Sequence, residues 1–196
     1  MRPSARVARA WGFGVGDVPE RTRGHLRAPA EIAARLMACD AVCSWLELSE
    51  AVAASERLRS YVERNKLSSW MTAPEKAAWG DSRLAGRSPS REELWPLAWA
   101  LGFDPAPPLD GAVIAESRLR SILLDFLPGL DGAVEELTAR PRPEAEVADL
   151  EELFYCAEHA VSLPVAFDPA VHGGVIRDRR HALSFCLGAS WERVGP

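Results

Sequence analysis

The sequence predicts an all-α fold: a single irregular domain of six to eight helices, with at most a short β-hairpin near residues 163–175. Three observations carry this. Apolar residues recur at helical spacing in segment after segment, and no run alternates at period two for more than a few residues. Two capping boxes mark helix starts, at Thr72/Glu75 and Ser90/Glu93. A chain of 196 residues that is 47% apolar, without a low-complexity tract, has material for one core. The domain is expected over 29–196, behind a basic, Gly-rich arm at 1–28 whose Gly and Pro show no periodicity.

In order, Pro29 is a good first helical residue and opens a helix to about Leu48. Ile32, Leu36, Cys39, Val42, Cys43 and Leu46, with Met37 and Trp45 beside them, cover most of its circumference, so it is a central helix. Arg35 and Asp40 interrupt it, and at least one of them must find a partner in a partly buried setting. A second helix runs from about Glu50 to Asn65. The Thr72 capping box begins a short helix ended by Gly80, and residues 80–90 form a loop. After the Ser90 box, the Trp-rich segment up to Gly102 is the most apolar of the chain; Pro96 either kinks this helix or forces it to start near Trp95. Beyond a Pro-rich linker, helices are expected from about Gly111 to Leu127 and Ala133 to Thr138. Val147, Leu150, Phe154, Ala157 and Val161 make an amphipathic stripe behind Pro143. The last helix starts near Asp168-Pro169 or at Val175 and reaches Leu187.

Charge narrows the function classes. Residues 1–35 hold seven Arg against Asp17, Glu20 and Glu31, whereas 125–158 hold ten acids against Arg140 and Arg142. The favoured reading is that the basic arm folds onto an acidic helical face of its own chain. Nucleic-acid binding through the arm is the weaker alternative, because a nucleic-acid binder of this size is usually basic overall and this chain carries −5. No apolar run is long enough to span a bilayer, and the first residues lack the apolar region of a secretory signal, so a cytoplasmic protein is expected. Cys39, Cys43, Cys156 and Cys186 are read as reduced thiols filling the core. They lack the close C-x2-C pair of a zinc site, and no metal or cofactor is expected. Gly12, Gly14 and Gly16 follow no strand and lack the third glycine of a dinucleotide site.

One residue stands out. On the last helix Val175, Ile176, Ala182, Leu183, Cys186 and Leu187 share a face, and Arg179 falls close to its middle. An unpaired guanidinium there would cost several kcal/mol. Glu158, Glu92, Asp40 and Asp178 are candidate partners. A buried arginine–carboxylate clasp is the favoured reading, and a ligand site in which the arginine fork waits for an anion is the alternative.

Several segments together resemble a known family, the bacterial domain of unknown function 4272: EIAARLMACDAVCS, YVERNKLSSWMTAPEKAAW, EELWPLAWALG, DLEELFYCAEHAV and DPAVHGGVIRDRRHALSFCLGASWERV. The last is the most specific, with Val175, Asp178, Arg179, Ala182, Leu183, Trp191, Glu192 and Val194 on the family's pattern. Glu92, Trp95, Trp99 and Gly102 match its tryptophan-rich helix, and Glu152 and Tyr155 a later one. Pro96, Cys156, Glu158 and His159 depart from it, which weakens any acid–base role for the helix carrying the last three. The resemblance implies a mostly helical bacterial protein and, since the family has no assigned activity, nothing firmer about function.

The function expected is therefore a non-catalytic interaction or regulatory module that binds another protein through a helical groove near Trp95, Trp99, Trp191 and Tyr155. The alternative is a binder of a small anionic ligand, or a hydrolase-like enzyme, with a pocket around Arg179, Asp178, Glu92, Arg35 and Glu158.

Overall fold

The computed structural model describes residues 24–47, 52–80, 89–103, 105–115, 117, 119, 140–161 and 172–192. Among these there are six α-helices and one 3-10 turn, with no strand, which is the all-α fold the sequence predicts. The arm at 1–23, most of the loop at 80–90, the short helix at 133–138 and most of the hairpin region lie outside the described residues.

Helix α1 (Pro29–Glu47) occupies the centre, and Ile32, Leu36, Met37, Cys39 and Val42 are all buried on it. A helix apolar on every side can be satisfied only by neighbours on several sides. It contacts α2 (Val52–Arg64), the 3-10 turn (Leu67–Trp70), α3 (Ala73–Gly80) and α4 (Arg91–Ala100). Helix α6 (Gly173–Cys186) packs on both α4 and α5 (Glu144–Val161). The packing order is thus α5, α6, α4, α1, and then the short elements that follow α1 in sequence.

Both capping boxes form. Thr72 Oγ1 accepts from the Glu75 amide at 3.3 Å while Glu75 Oε2 accepts from the Thr72 amide at 2.8 Å. Ser90 Oγ accepts from the Glu92 amide at 3.3 Å, and Glu93 Oε2 accepts from the Ser90 amide at 3.1 Å. Of the two alternatives that Pro96 left open, the second box decides against a start near Trp95. It nucleates α4 at Arg91, and Pro96 sits inside the helix, where it removes a single ladder donor, the one that would reach the Glu92 carbonyl. Gly102 ends this segment at φ +106, and a Cβ there would lie 2.1 Å from the Arg140 carbonyl oxygen. That close approach seats the segment leading to α5. Arg142 donates its amide to the Ala100 carbonyl at 2.9 Å and its side chain to the carbonyls of Trp99 and Phe103 at the end of α4.

Two other boundaries differ from expectation. Residues 111–115 are not helical, and the next described residues, 117 and 119, are, so the helix expected from Gly111 starts later. The reason is chemical, because the Ala112 carbonyl, an acceptor that a helix from Gly111 would use, is taken by Arg179 of α6. Helix α6 begins at Gly173, two residues before Val175, and ends at Cys186.

Arg27 ties the entry of the described chain to the end of α6, donating to the carbonyls of Phe185, Gly188 and Ala189. The acids of α5 face α6 as well. Glu151 accepts from Arg180 at 3.3 Å and from Ser184 at 2.8 Å, and Glu158 pairs with both Arg177 and Arg180.

Candidate functional site

Arg179 is fully buried, with 0% side-chain exposure, on the face of α6 that meets α4. Its Nε donates to Glu92 Oε2 at 3.0 Å, and Nη2 lies 2.8 Å from the same oxygen. Nη2 also donates to the Ala112 carbonyl at 2.7 Å, and Nη1 to the Pro108 carbonyl at 2.5 Å, with Asp110 Oδ1 3.8 Å away. The other Glu92 oxygen accepts from the Ile114 amide at 2.8 Å. Every guanidinium nitrogen therefore has an acceptor. The cluster sews α6, α4 and residues 108–114 together, as a buried charge requires when water cannot reach it.

A second clasp forms around Arg35, which is 1% exposed on α1. Its fork meets both oxygens of Glu75, Nη1 to Oε2 at 2.8 Å and Nη2 to Oε1 at 2.5 Å, while Nη1 also donates to the Trp70 carbonyl. The bidentate geometry is the strong form of this pairing. Desolvation by burial works against the charge of Arg35. The neighbouring Cys39 sulfur, the Glu75 hydrogen bonds and the charges of Glu75 and Glu93 outweigh it, so its pKa stands above the ordinary guanidinium value. The guanidinium carbon lies 3.9 Å from the centroid of the Trp191 ring, a cation–π contact.

The capping glutamate of α4 has a similar double use. Glu93 Oε1 lies 2.8 Å from His181 Nδ1, and His181 Nε2 lies 3.0 Å from the Trp191 carbonyl oxygen. The Trp191 ring lies 4.6 Å from the His181 ring and meets Phe185 edge-on at 5.1 Å. Trp191 is thus held by α1 and α6 through its ring and by α6 through its backbone.

Between these groups lies a cleft of about 510 Å3. Its floor is the paired starts of α3 and α4, with Thr72, Glu75, Ser90 and Glu93, and its other wall is Asp178 and His181 of α6 followed by Trp191 and Glu192. Four carboxylates line it against one imidazole. Glu75 is backed by Arg35 and Glu93 by His181, so the cleft keeps an acidic balance without stranding a buried charge.

The structure brings some of the sequence candidates together and separates others. Arg179 and Glu92 form one clasp; Arg35 stands behind the cleft in the other. Asp178 and Trp191 line the cleft, whereas Glu158 lies on the seam between α5 and α6. The aromatic region also divides. Trp95 is buried and donates its indole N–H to the Pro105 carbonyl at 2.7 Å, Trp99 is buried under Arg142, and Tyr155 lies under Arg180 on α5. Sequence reasoning missed Glu75, Glu93 and His181 as site residues. The capping boxes were the available signal for the two glutamates, but a cap does not reveal a second partner. His181 lies off the apolar face of the last helix, where nothing in the sequence marks a partner.

Among the described residues no three His, Cys, Asp or Glu side chains are arranged to hold a metal ion. The four cysteines are free and buried, and burial pushes the thiols of Cys43 and Cys186 up to about 12.

Taken as a class, the molecule is an all-α domain with an acidic cleft walled by capped helix starts. The family model described as Domain of unknown function (DUF4272) matches residues 16–194, and the chain belongs to that family. Comparison with curated proteins and with solved structures finds no match. No helix among the described residues is long and apolar enough to cross a membrane.

Proposed function

We propose that the chain is a non-catalytic helical interaction module whose cleft receives a basic, extended segment of a protein partner. The observation that carries this is the lining of the cleft: Asp178, Glu192 and Trp191 around a space of about 510 Å3, beside Glu75 and Glu93, which Arg35 and His181 already match. A space of that volume suits one or two long side chains. Carboxylates and an indole suit guanidinium or ammonium groups and repel phosphates. The same lining speaks against nucleic acid. Support for an anionic-ligand pocket at Arg179 falls away, since its fork is spent on Glu92 and three backbone or side-chain oxygens. Free, buried thiols fit a reducing compartment, and we place this bacterial protein in the cytoplasm.

The test is a fluorescence-anisotropy titration with a labelled Gly-Arg repeat peptide and a Gly-Glu repeat of equal length. The arginine peptide should bind with an affinity that falls with salt, and Asp178→Asn with Glu192→Gln should weaken it about fivefold. Equal affinity for both peptides, or an arginine-peptide affinity indifferent to the two substitutions, would remove the cleft from the account.

A further inference from the structure

His181 faces an acceptor on each ring nitrogen. The Trp191 carbonyl oxygen, 3.0 Å from Nε2, accepts only, so Nε2 must carry a proton for that hydrogen bond to exist. Glu93 Oε1, 2.8 Å from Nδ1, is an acceptor when ionised, and the other Glu93 oxygen already accepts from the Ser90 amide. The Glu93–His181 contact therefore needs a second proton between Oε1 and Nδ1, whichever atom holds it. With that proton the pair is neutral overall and both contacts stand. Without it the carboxylate meets a lone pair, and one contact must break.

Which one breaks follows from bond strength. A charge-assisted N–H···carboxylate bond outweighs a neutral N–H···carbonyl bond. On losing a proton to water, the neutral imidazole keeps its remaining proton on Nδ1, toward Glu93, and turns a bare Nε2 to the Trp191 carbonyl. We infer that Glu93 and His181 form a proton-dependent latch that fastens the segment carrying Trp191 and Glu192 to α6 and releases it on deprotonation.

The consequence for binding rests on the cleft being the binding site, since this segment supplies one of its walls. A loosened wall holds a basic segment less well. Other charged or titratable groups surround the latch: Glu75 from α3, Asp178 of α6 itself and Glu192 share the cleft, and Arg35 and Cys39 of α1 lie close enough to Glu93 to feel its charge. Proton exchange with solvent is open, because the His181 side chain is 14% exposed.

The experiment needs no ligand, so it stands or falls apart from the cleft reading. The imidazole nitrogens of His181 are followed by 15N NMR in the full chain as the pH is raised stepwise from acid to alkaline. Amide-exchange protection of residues 189–192, corrected for intrinsic rates, is measured alongside. The expected result is two protonated nitrogens at the acid end and the Nδ1–H tautomer at the alkaline end, with protection falling about fivefold, as for one lost hydrogen bond.

Glu93→Gln supplies the second arm. Its amide N–H2 can donate to Nδ1 while its oxygen accepts from the Ser90 amide, so a neutral His181 keeps Nε2–H on Trp191 and protection becomes independent of pH. An Nε2–H tautomer at alkaline pH in the wild type, or protection that does not change with pH there, would overturn the latch. So would a Glu93→Gln protein whose protection falls with pH as the wild type's does.

Discussion

Arg179→Met keeps an apolar stem in place but strands Glu92 and the carbonyls of Pro108 and Ala112 in a dry interior. The expected cost is about 3–5 kcal/mol, read as a lower urea midpoint at unchanged slope. Adding Glu92→Met removes the stranded carboxylate but not the carbonyls, so the double variant recovers only part of the loss. Simple additivity of the two single costs would contradict a clasp. If the clasp is structural, Arg179→Met protein that is still folded binds the arginine peptide as the wild type does. The thiols make a prediction of the opposite electrostatic sense. Burial raises Cys43 and Cys186 from 9.0 to about 12, so between those values the unfolded chain has lost protons that the folded chain retains. Stability therefore falls as pH rises from about 9 to about 12, visible as a declining melting temperature across that window. Of the clasp, the sequence made Arg179 legible through the helical wheel and offered Glu92 among its partners. The Pro108 and Ala112 carbonyls were not legible, because nothing in a residue's identity marks which loop carbonyls will turn inward.

Elements were readable where their ends carry chemistry. Ser90 and Glu93 placed the start of α4 correctly even though Pro96 argued for a later one. Local hydrogen bonding at the cap outweighed the loss of one donor deeper in the helix. Ser90→Ala should cost about 1 kcal/mol in chemical denaturation, and a neutral result would mean that the box is not what starts the helix. Gly102→Ala should cost more than Ser90→Ala, since it combines a positive φ with a Cβ 2.1 Å from the Arg140 oxygen. Elements failed to be readable where tertiary contacts override propensity. Residues 111–115 have a helical pattern in sequence, yet Arg179 and Glu92 take a carbonyl and an amide of this stretch. Helix and clasp compete for the Ala112 carbonyl, and the buried charge wins because leaving it unpaired costs more than one turn of helix.

At the scale of the molecule, the net charge of −5 concealed how the acidic side chains are distributed in space. The acidic run in α5 drew attention, but its Glu151 and Glu158 are matched by Arg177 and Arg180 of α6. The acidic cleft instead collects residues from 72 to 192, of which sequence singled out Asp178 and Trp191 as candidates and marked Glu75 and Glu93 only as caps. Only the packing of α6 and α3 around α1 and α4 brings them together, which is why composition and spacing could single out the tryptophan-bearing segments without indicating which tryptophan borders a cleft. Trp95 and Trp99 serve the core and Trp191 borders the cleft. The most direct measurement follows the indole N–H signals of the seven tryptophans by 15N NMR while the Gly-Arg peptide is added. The account predicts that Trp191 shifts with saturation while buried Trp95 stays in place; a peptide that binds without moving Trp191, or that does not bind, would contradict it.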